Sequence, residues 1–127
     1  MSYRTNFTLQ AAEIDKHTFD VIDEALITIN ADMEPTEPDP ADTDFNWHGS
    51  DLSWYDHEED MVKLSQQFPD ILFILSGNGE NAEDLWKKYF FGGLVQRAPA
   101  QITYEEFNKN KLRRLDEKED TNSEVQT

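Results

Sequence analysis

The chain has no cysteine among its 127 residues, which excludes a disulfide scaffold, a thiolate metal site and a cysteine nucleophile. No apolar run approaches the roughly 18 to 20 residues needed to cross a bilayer. The opening Met1-Ser2-Tyr3-Arg4-Thr5-Asn6 lacks the apolar stretch of a signal peptide, so a cytoplasmic protein is expected. Basic residues are scarce as well, 11 Lys and Arg against 27 Asp and Glu, for a formal net charge of −16. That balance argues against direct binding to nucleic acid or to an anionic membrane, since either would repel the surface. The scarcity is uneven. From His17 to Val62 there is no Lys or Arg but there are fourteen Asp and Glu, so these 46 positions carry −14 and the other 81 carry −2. Self-repulsion on that scale works against compaction, and its concentration in one window points to a basic partner.

What is present suits one ordinary domain with a real core: 37% hydrophobic residues, including eight Phe, four Tyr and three Trp. Tyr3, Thr5, Phe7 and Leu9 alternate with Arg4, Asn6 and Thr8, the pattern of a half-buried first strand. Phe19, Ile22, Leu26 and Ile29 recur at helical spacing, predicting an amphipathic helix from about Asp15 to Asn30. Residues 31–44 hold Pro35, Pro38 and Pro40 among six acids, which predicts an extended, solvated linker. Phe45, Trp47, Leu52, Trp54 and Tyr55 predict a return to the core as a strand or hairpin interrupted by Gly49.

A second helix is expected to begin at Asp56, with Asp56 and Glu59 forming a capping box, Met61, Leu64 and Phe68 buried, and Pro69 as its stop. Ile71 to Leu75 reads as a central strand covered on both faces, followed by a glycine-containing loop from Ser76 to Ala82. Leu85–Phe91 and Leu94–Ala98 flank Gly92-Gly93 as a hairpin, with Trp86, Tyr89 and Phe90 as core and Lys87 and Lys88 marking the exposed side. Tyr104 and Phe107 are expected to pack back onto the body. The domain organisation is therefore a single α+β domain over residues 1–107 with an acidic Pro-rich loop at 31–44, then a polar tail at 108–127 expected to be disordered.

Strand, helix, strand, helix and three strands imply a two-layer α+β sandwich. Both helices would lie on one face of a mostly antiparallel, four- to five-stranded sheet, and the ferredoxin-like plan is the nearest simple topology. The stretch Trp54-Tyr55-Asp56-His57-Glu58-Glu59-Asp60, through Phe68-Pro69-Asp70 and Gly77-Asn78-Gly79-Glu80, to Trp86-Lys87-Lys88-Tyr89-Phe90 resembles small ferredoxin-like proteins of bacteriophages, prophages and conjugative plasmids. The resemblance covers about residues 54–91 and consists of core and turn residues. It implies a fold and a genetic context, and it carries over no functional residue.

The first constellation with chemical consequence is the acidic surface. Asp32, Glu34, Glu37, Asp39, Asp42 and Asp44 are spaced two or three apart. In extended chain that places successive carboxylates roughly 6 to 10 Å apart, of the same order as the charges along a nucleic-acid strand. With Asp51, Glu58 and Asp60 they would let a folded body occupy a Lys- and Arg-lined groove, with Trp47 and Tyr55 as aromatic anchors. The expectation is an acidic accessory protein of a phage or mobile element, a nucleic-acid mimic. It would occlude the nucleic-acid-binding site of a host protein such as a CRISPR effector, a restriction enzyme or a DNA-repair enzyme. It would be an inhibitor rather than an enzyme, with no cofactor. Solvation alone, in a structural or regulatory subunit, is the plainer account of the same acids.

The second is Asp56-His57-Glu58-Glu59-Asp60, where Asp56, His57 and Asp60 would serve a metal-assisted hydrolase. The pattern is not His-Glu-x-x-His, and helix capping accounts for Asp56 and Glu59. All three histidines, His17, His48 and His57, fall in the acidic window. Neighbouring carboxylates should favour their charged forms, so partner binding is expected to loosen as pH falls toward 6. Asp39, Asp42 and Asp44 are not an EF-hand loop, and no dedicated metal site is expected. Gly77-Asn78-Gly79 lacks the Lys of a phosphate loop and precedes Glu80, so it reads as a turn. Lys109, Lys111, Arg113 and Arg114 read as a solvated basic end, with a contact site for a second partner as the alternative.

Overall fold

The computed structural model describes residues 3–29, 32–36 and 45–116. The chain runs β1 (Thr5–Ala11), α1 (Lys16–Thr28), β2 (Glu34–Pro35), β3 (Phe45–Leu52), α2 (His57–Gln67), β4 (Phe73–Gly79), β5 (Leu85–Phe91) and β6 (Leu94–Pro99). A short 3-10 turn follows at Lys109–Lys111. The strands form one sheet in the order β2-β3-β1-β4-β5-β6.

Alternation in β1 sets the layers. Phe7, Leu9 and Ala11 are buried, and the register places Leu9 beside Trp47 and Leu75, and Ala11 beside Phe45 and Phe73. Phe73 in turn faces Phe90. Because side chains repeat every second residue, these rows share one face. Both helices cover that face. Phe19, Ile22 and Leu26 of α1 and Met61 and Leu64 of α2 complete the buried cluster. Phe19 stacks on Phe45 and Trp47 at 4.9 and 5.1 Å between ring centroids. Asp15 caps α1 by accepting a hydrogen bond from the Thr18 amide at 2.8 Å, which holds its carboxyl below the ordinary range. The architecture is thus an α+β two-layer arrangement, with six strands where four or five were expected. The ferredoxin-like plan is not confirmed: its split βαβ unit places another strand between the two strands that a helix connects, whereas β1 and β3, connected through α1, are direct antiparallel neighbours here.

Several local expectations are corrected. Part of the Pro-rich segment is a strand, since Glu34 pairs with His48 and Pro35 with Trp47. An edge strand tolerates proline because one side of its backbone needs no ladder partner. β3 passes through Gly49 without a break, and the register shift beside β1 leaves Asp51 at φ 58°, a bulge rather than a hairpin. Asp56 precedes α2 but makes no side-chain capping bond, so there is no capping box. β4 is covered by helices on one face only, and Gly77-Asn78-Gly79 belongs to the strand, all three paired with β1 and the first two with β5 as well. A Cβ at Gly77 would lie 2.1 Å from Trp86 Cζ2. The glycine thus makes room for a cross-strand indole instead of forming a turn.

The β5–β6 hairpin is as expected, with Gly92 and Gly93 at φ 59° and 86° supplying a two-residue turn. The buried Ser65 hydroxyl accepts from the Gly93 amide at 2.8 Å and fastens that turn to α2. The last backbone bond from the C-terminal segment to the sheet runs from the Ala100 amide to the Leu85 carbonyl, 2.9 Å. Beyond it Tyr104 and Phe107 do not pack back; they are 88% and 79% exposed.

Candidate functional site

The two edge strands, β2 and β6, lie at opposite ends of the sheet, and the acidic residues divide between those ends. At the β2 edge, Asp32 and Glu34 are exposed. They line an open concavity of about 370 Å³ with Pro35, His48, Gly49, Ser50 and Leu52. Glu37, Asp39, Asp42 and Asp44 lie outside the described residues. Their positions in the chain fall between Thr36, which follows β2, and Phe45, which opens β3.

Asp51, on the bulge, pairs with Arg4 at 3.2 Å. Both side chains are largely exposed, so such a pair contributes about 0–1 kcal/mol and leaves the carboxylate accessible. Tyr55 is exposed on the loop before α2, and its hydroxyl accepts from the Tyr3 amide at 2.7 Å. Trp47 is not a surface anchor. It is completely buried, and its indole N–H donates to Asp23 at 3.0 Å, locking α1 onto the sheet.

Glu58 and Asp60 sit at the start of α2, which packs over β5 and β6. Glu58 accepts from Arg97 of β6 at 2.5 and 2.9 Å, and Lys88 of β5 stands 3.1 Å from it. The Arg97 guanidinium, assisted by Lys88, holds the Glu58 carboxyl at about 2. Asp60 accepts from the Trp54 indole at 2.8 Å. These two acids serve the fold's own cations and donors, and Glu58 is tied to β5 and β6, at the end of the sheet opposite β2. The ten acids of the window that are described therefore do not form one continuous belt: Glu58 and Asp60 are engaged internally, whereas Asp32 and Glu34 stand exposed at the β2 edge.

The metal-centre expectation meets the same cluster. His57 Nδ1 donates to the Trp54 carbonyl at 2.9 Å, leaving Nε2 to accept from Lys88 at 2.7 Å. Its lone pair faces an ammonium group, and Asp60 is occupied by Trp54. Among the described residues no group of three or more His, Asp or Glu could hold a metal ion. Burial pushes the His57 pKa down, and the Lys88 charge adds to this against the opposing pull of the Trp54 carbonyl, Glu58 and Asp60. The expectation that neighbouring acids favour its charged form is thus reversed at this position.

Sequence reasoning missed this interior knot of His57 stacked on Trp86 at 5.1 Å, with Lys88 4.4 Å above the same indole. The signal was there: adjacent Lys87 and Lys88 on a strand must point to opposite faces, so they do not mark a single exposed side. By the same rule Trp86 and Phe90 lie on the helix side and Tyr89 on the other. It also missed an open groove of about 570 Å³ on the helix-free face. Asn6, Thr8, Ser76 and Asn78 line it together with Leu85, Tyr89, Ala98 and Ala100.

No protein-family model matches the chain, and neither a curated protein nor a solved structure is significantly similar to it. Among the described residues no helix is long and apolar enough to cross a membrane.

Proposed function

We propose that this is a non-enzymatic acidic binding protein, an accessory of a phage or other mobile element. It would occlude the cationic, nucleic-acid-binding surface of a host protein by mimicking nucleic acid. The relation to ferredoxin-like proteins of such elements belongs to this proposal. The observation that carries it is the window from His17 to Val62, with fourteen acids and no Lys or Arg. Within it, contact centres on the β2 edge, where Asp32 and Glu34 are exposed and unscreened by the chain's own cations in any ion pair between described residues. Asp51 and Tyr55 extend the contact along the far end of β3. Glu58, Asp60 and Trp47, whose groups are engaged internally, are not part of it. Association through such a surface is fast and salt-sensitive.

The test is capture of a partner from host lysate at about 50 mM salt, eluted with a salt gradient. The expected partner is a nucleic-acid-binding protein eluting well below 500 mM. The variant with Glu34→Gln, Glu37→Gln, Asp39→Asn and Asp42→Asn together should retain its fold and lose capture. Unchanged capture by that variant would reduce the acids to solvation.

A further inference from the structure

A cavity of about 150 Å³ lies where the start of β1, the loop between β3 and α2 and the start of β5 meet. Tyr3, Phe7, Trp54, Tyr55, His57 and Trp86 line it together with one carboxylate, Asp84. Phe7 and Trp86 point to the helix side of the sheet, so it is distinct from the free-face groove. Its walls are bonded to one another. The Tyr3 hydroxyl donates to Asp84 Oδ2 at 2.5 Å, and the Tyr3 amide donates to the Tyr55 hydroxyl at 2.7 Å. A Cβ at Gly79 would collide with the Tyr3–Asp84 pair, so that glycine keeps room for it. A cavity built in advance lowers the cost of binding.

Six rings and a carboxylate, with no Lys or Arg among the described residues that line the cavity, suit a cation. His57 adds a ring and no charge at neutral pH, because burial pushes its pKa down. Lys88 lies 4.4 Å from the Trp86 ring but is matched by Glu58 at 3.1 Å. Arg4, which follows Tyr3, turns to Asp51 at 3.2 Å. The rim is acidic besides: Asp56 follows Tyr55, Glu83 precedes Asp84, and both are exposed. Asp84 gives Oδ2 to Tyr3, and among the described residues its Oδ1 has no hydrogen-bond partner.

That open oxygen selects the head group. A quaternary ammonium would fill the rings and leave Oδ1 without a donor. A simple ammonium is compact and strongly hydrated, so an aromatic wall repays little of its lost water. A guanidinium is planar, weakly hydrated, stacks on rings and donates to a carboxylate at once. We propose that the cavity receives the guanidinium of an arginine side chain, stacked against its aromatic walls with Asp84 Oδ1 as acceptor. Arginine is what a nucleic-acid-binding surface presents, so the cavity would anchor the partner beside Asp51 and Tyr55; the source of the arginine rests on the role proposed above, the capacity to bind it does not.

Methylguanidinium is the probe, and the indole N–H signals in nitrogen–proton correlation spectra of the full chain are the readout. Trp54 and Trp86 line the cavity, whereas Trp47, bonded to Asp23 beneath α1, is an internal control. In about 150 mM sodium chloride the Trp54 and Trp86 signals should move saturably and the Trp47 signal should not. The dissociation constant should be on the order of millimolar, as befits so small a ligand. Methylurea has the same shape without the charge and should bind at least about tenfold more weakly. Tetramethylammonium should also bind more weakly. Asp84→Asn keeps an acceptor for Tyr3 and should weaken methylguanidinium about fivefold. Tyr55→Leu, at an exposed position, should weaken it as well without changing the melting temperature. The assignment is overturned if the probe moves no indole signal or all three alike. It is equally overturned if methylurea or tetramethylammonium binds as tightly, or if both variants bind as wild type does. Because the probe needs no partner protein, a failed titration leaves the β2 edge standing, and failed capture from lysate leaves the cavity standing.

Discussion

Replacing Glu58 by Gln removes the anion that Lys88 and Arg97 share while keeping the side chain's size. The consequence follows from the displacement of its pKa. A carboxyl lowered from 4.5 to about 2 corresponds, at 1.36 kcal/mol per unit, to an upper bound of about 3.4 kcal/mol for the charged form's preference for the folded state. Arg97 is two-thirds exposed, so solvent screening takes most of its share. Lys88 is only 15% exposed and loses a partner it cannot easily replace with water. About 1 to 2 kcal/mol is the expected deficit. Because the folded pKa is depressed, the contribution is complete above about 4.5 and fades as pH falls toward 2. Urea unfolding at pH 7 should therefore show a lower midpoint for Glu58→Gln at unchanged slope, with wild type and variant converging at pH 2. An equal midpoint at pH 7, or a deficit that persists undiminished at pH 2, would refute the assignment.

Trp47→Ala should cost about 3 to 5 kcal/mol in chemical unfolding, because it opens the core beneath α1 and strands Asp23; a cost below 1 kcal/mol would contradict complete burial. His57, whose folded pKa is depressed, favours folding in its neutral form. Stability should decline as pH falls below the unfolded value of 6.5, and His57→Gln should flatten that part of the profile measured by thermal melting. Gly77→Ala should destabilise by about 1 to 3 kcal/mol, because its methyl meets Trp86. Moved Trp fluorescence with no loss of stability would instead mean that the indole yields freely.

The periodic parts of this chain were legible and the negotiated parts were not. Phe19, Ile22 and Leu26 announce α1 because nothing competes with their 3.6-residue repeat, and Gly92-Gly93 announces the hairpin because its turn demands positive φ. β4 was misplaced by two residues because Ile71-Leu72 resemble strand, while the glycines that continue it resemble a turn; only the indole lying across Gly77 explains them. The candidate surface was legible as charge and illegible as geometry. Composition counts Glu58 and Glu34 alike, yet one is matched by Arg97 and Lys88 from strands far along the sequence and the other is not. Trp47 and Tyr55 were equal candidates as aromatic anchors until the register turned Trp47 inward.

The central claim is that the acidic β2 edge takes the place of nucleic acid on a cationic partner. It is tested most directly by competition: a captured partner is titrated with duplex DNA at fixed salt, and displacement of this protein is followed. Mutual exclusion is expected, together with a binding constant that weakens steeply as salt rises and a loss of competition on Glu34→Gln, Glu37→Gln, Asp39→Asn, Asp42→Asn. Simultaneous binding of DNA and protein to the same partner, insensitive to salt, would contradict it.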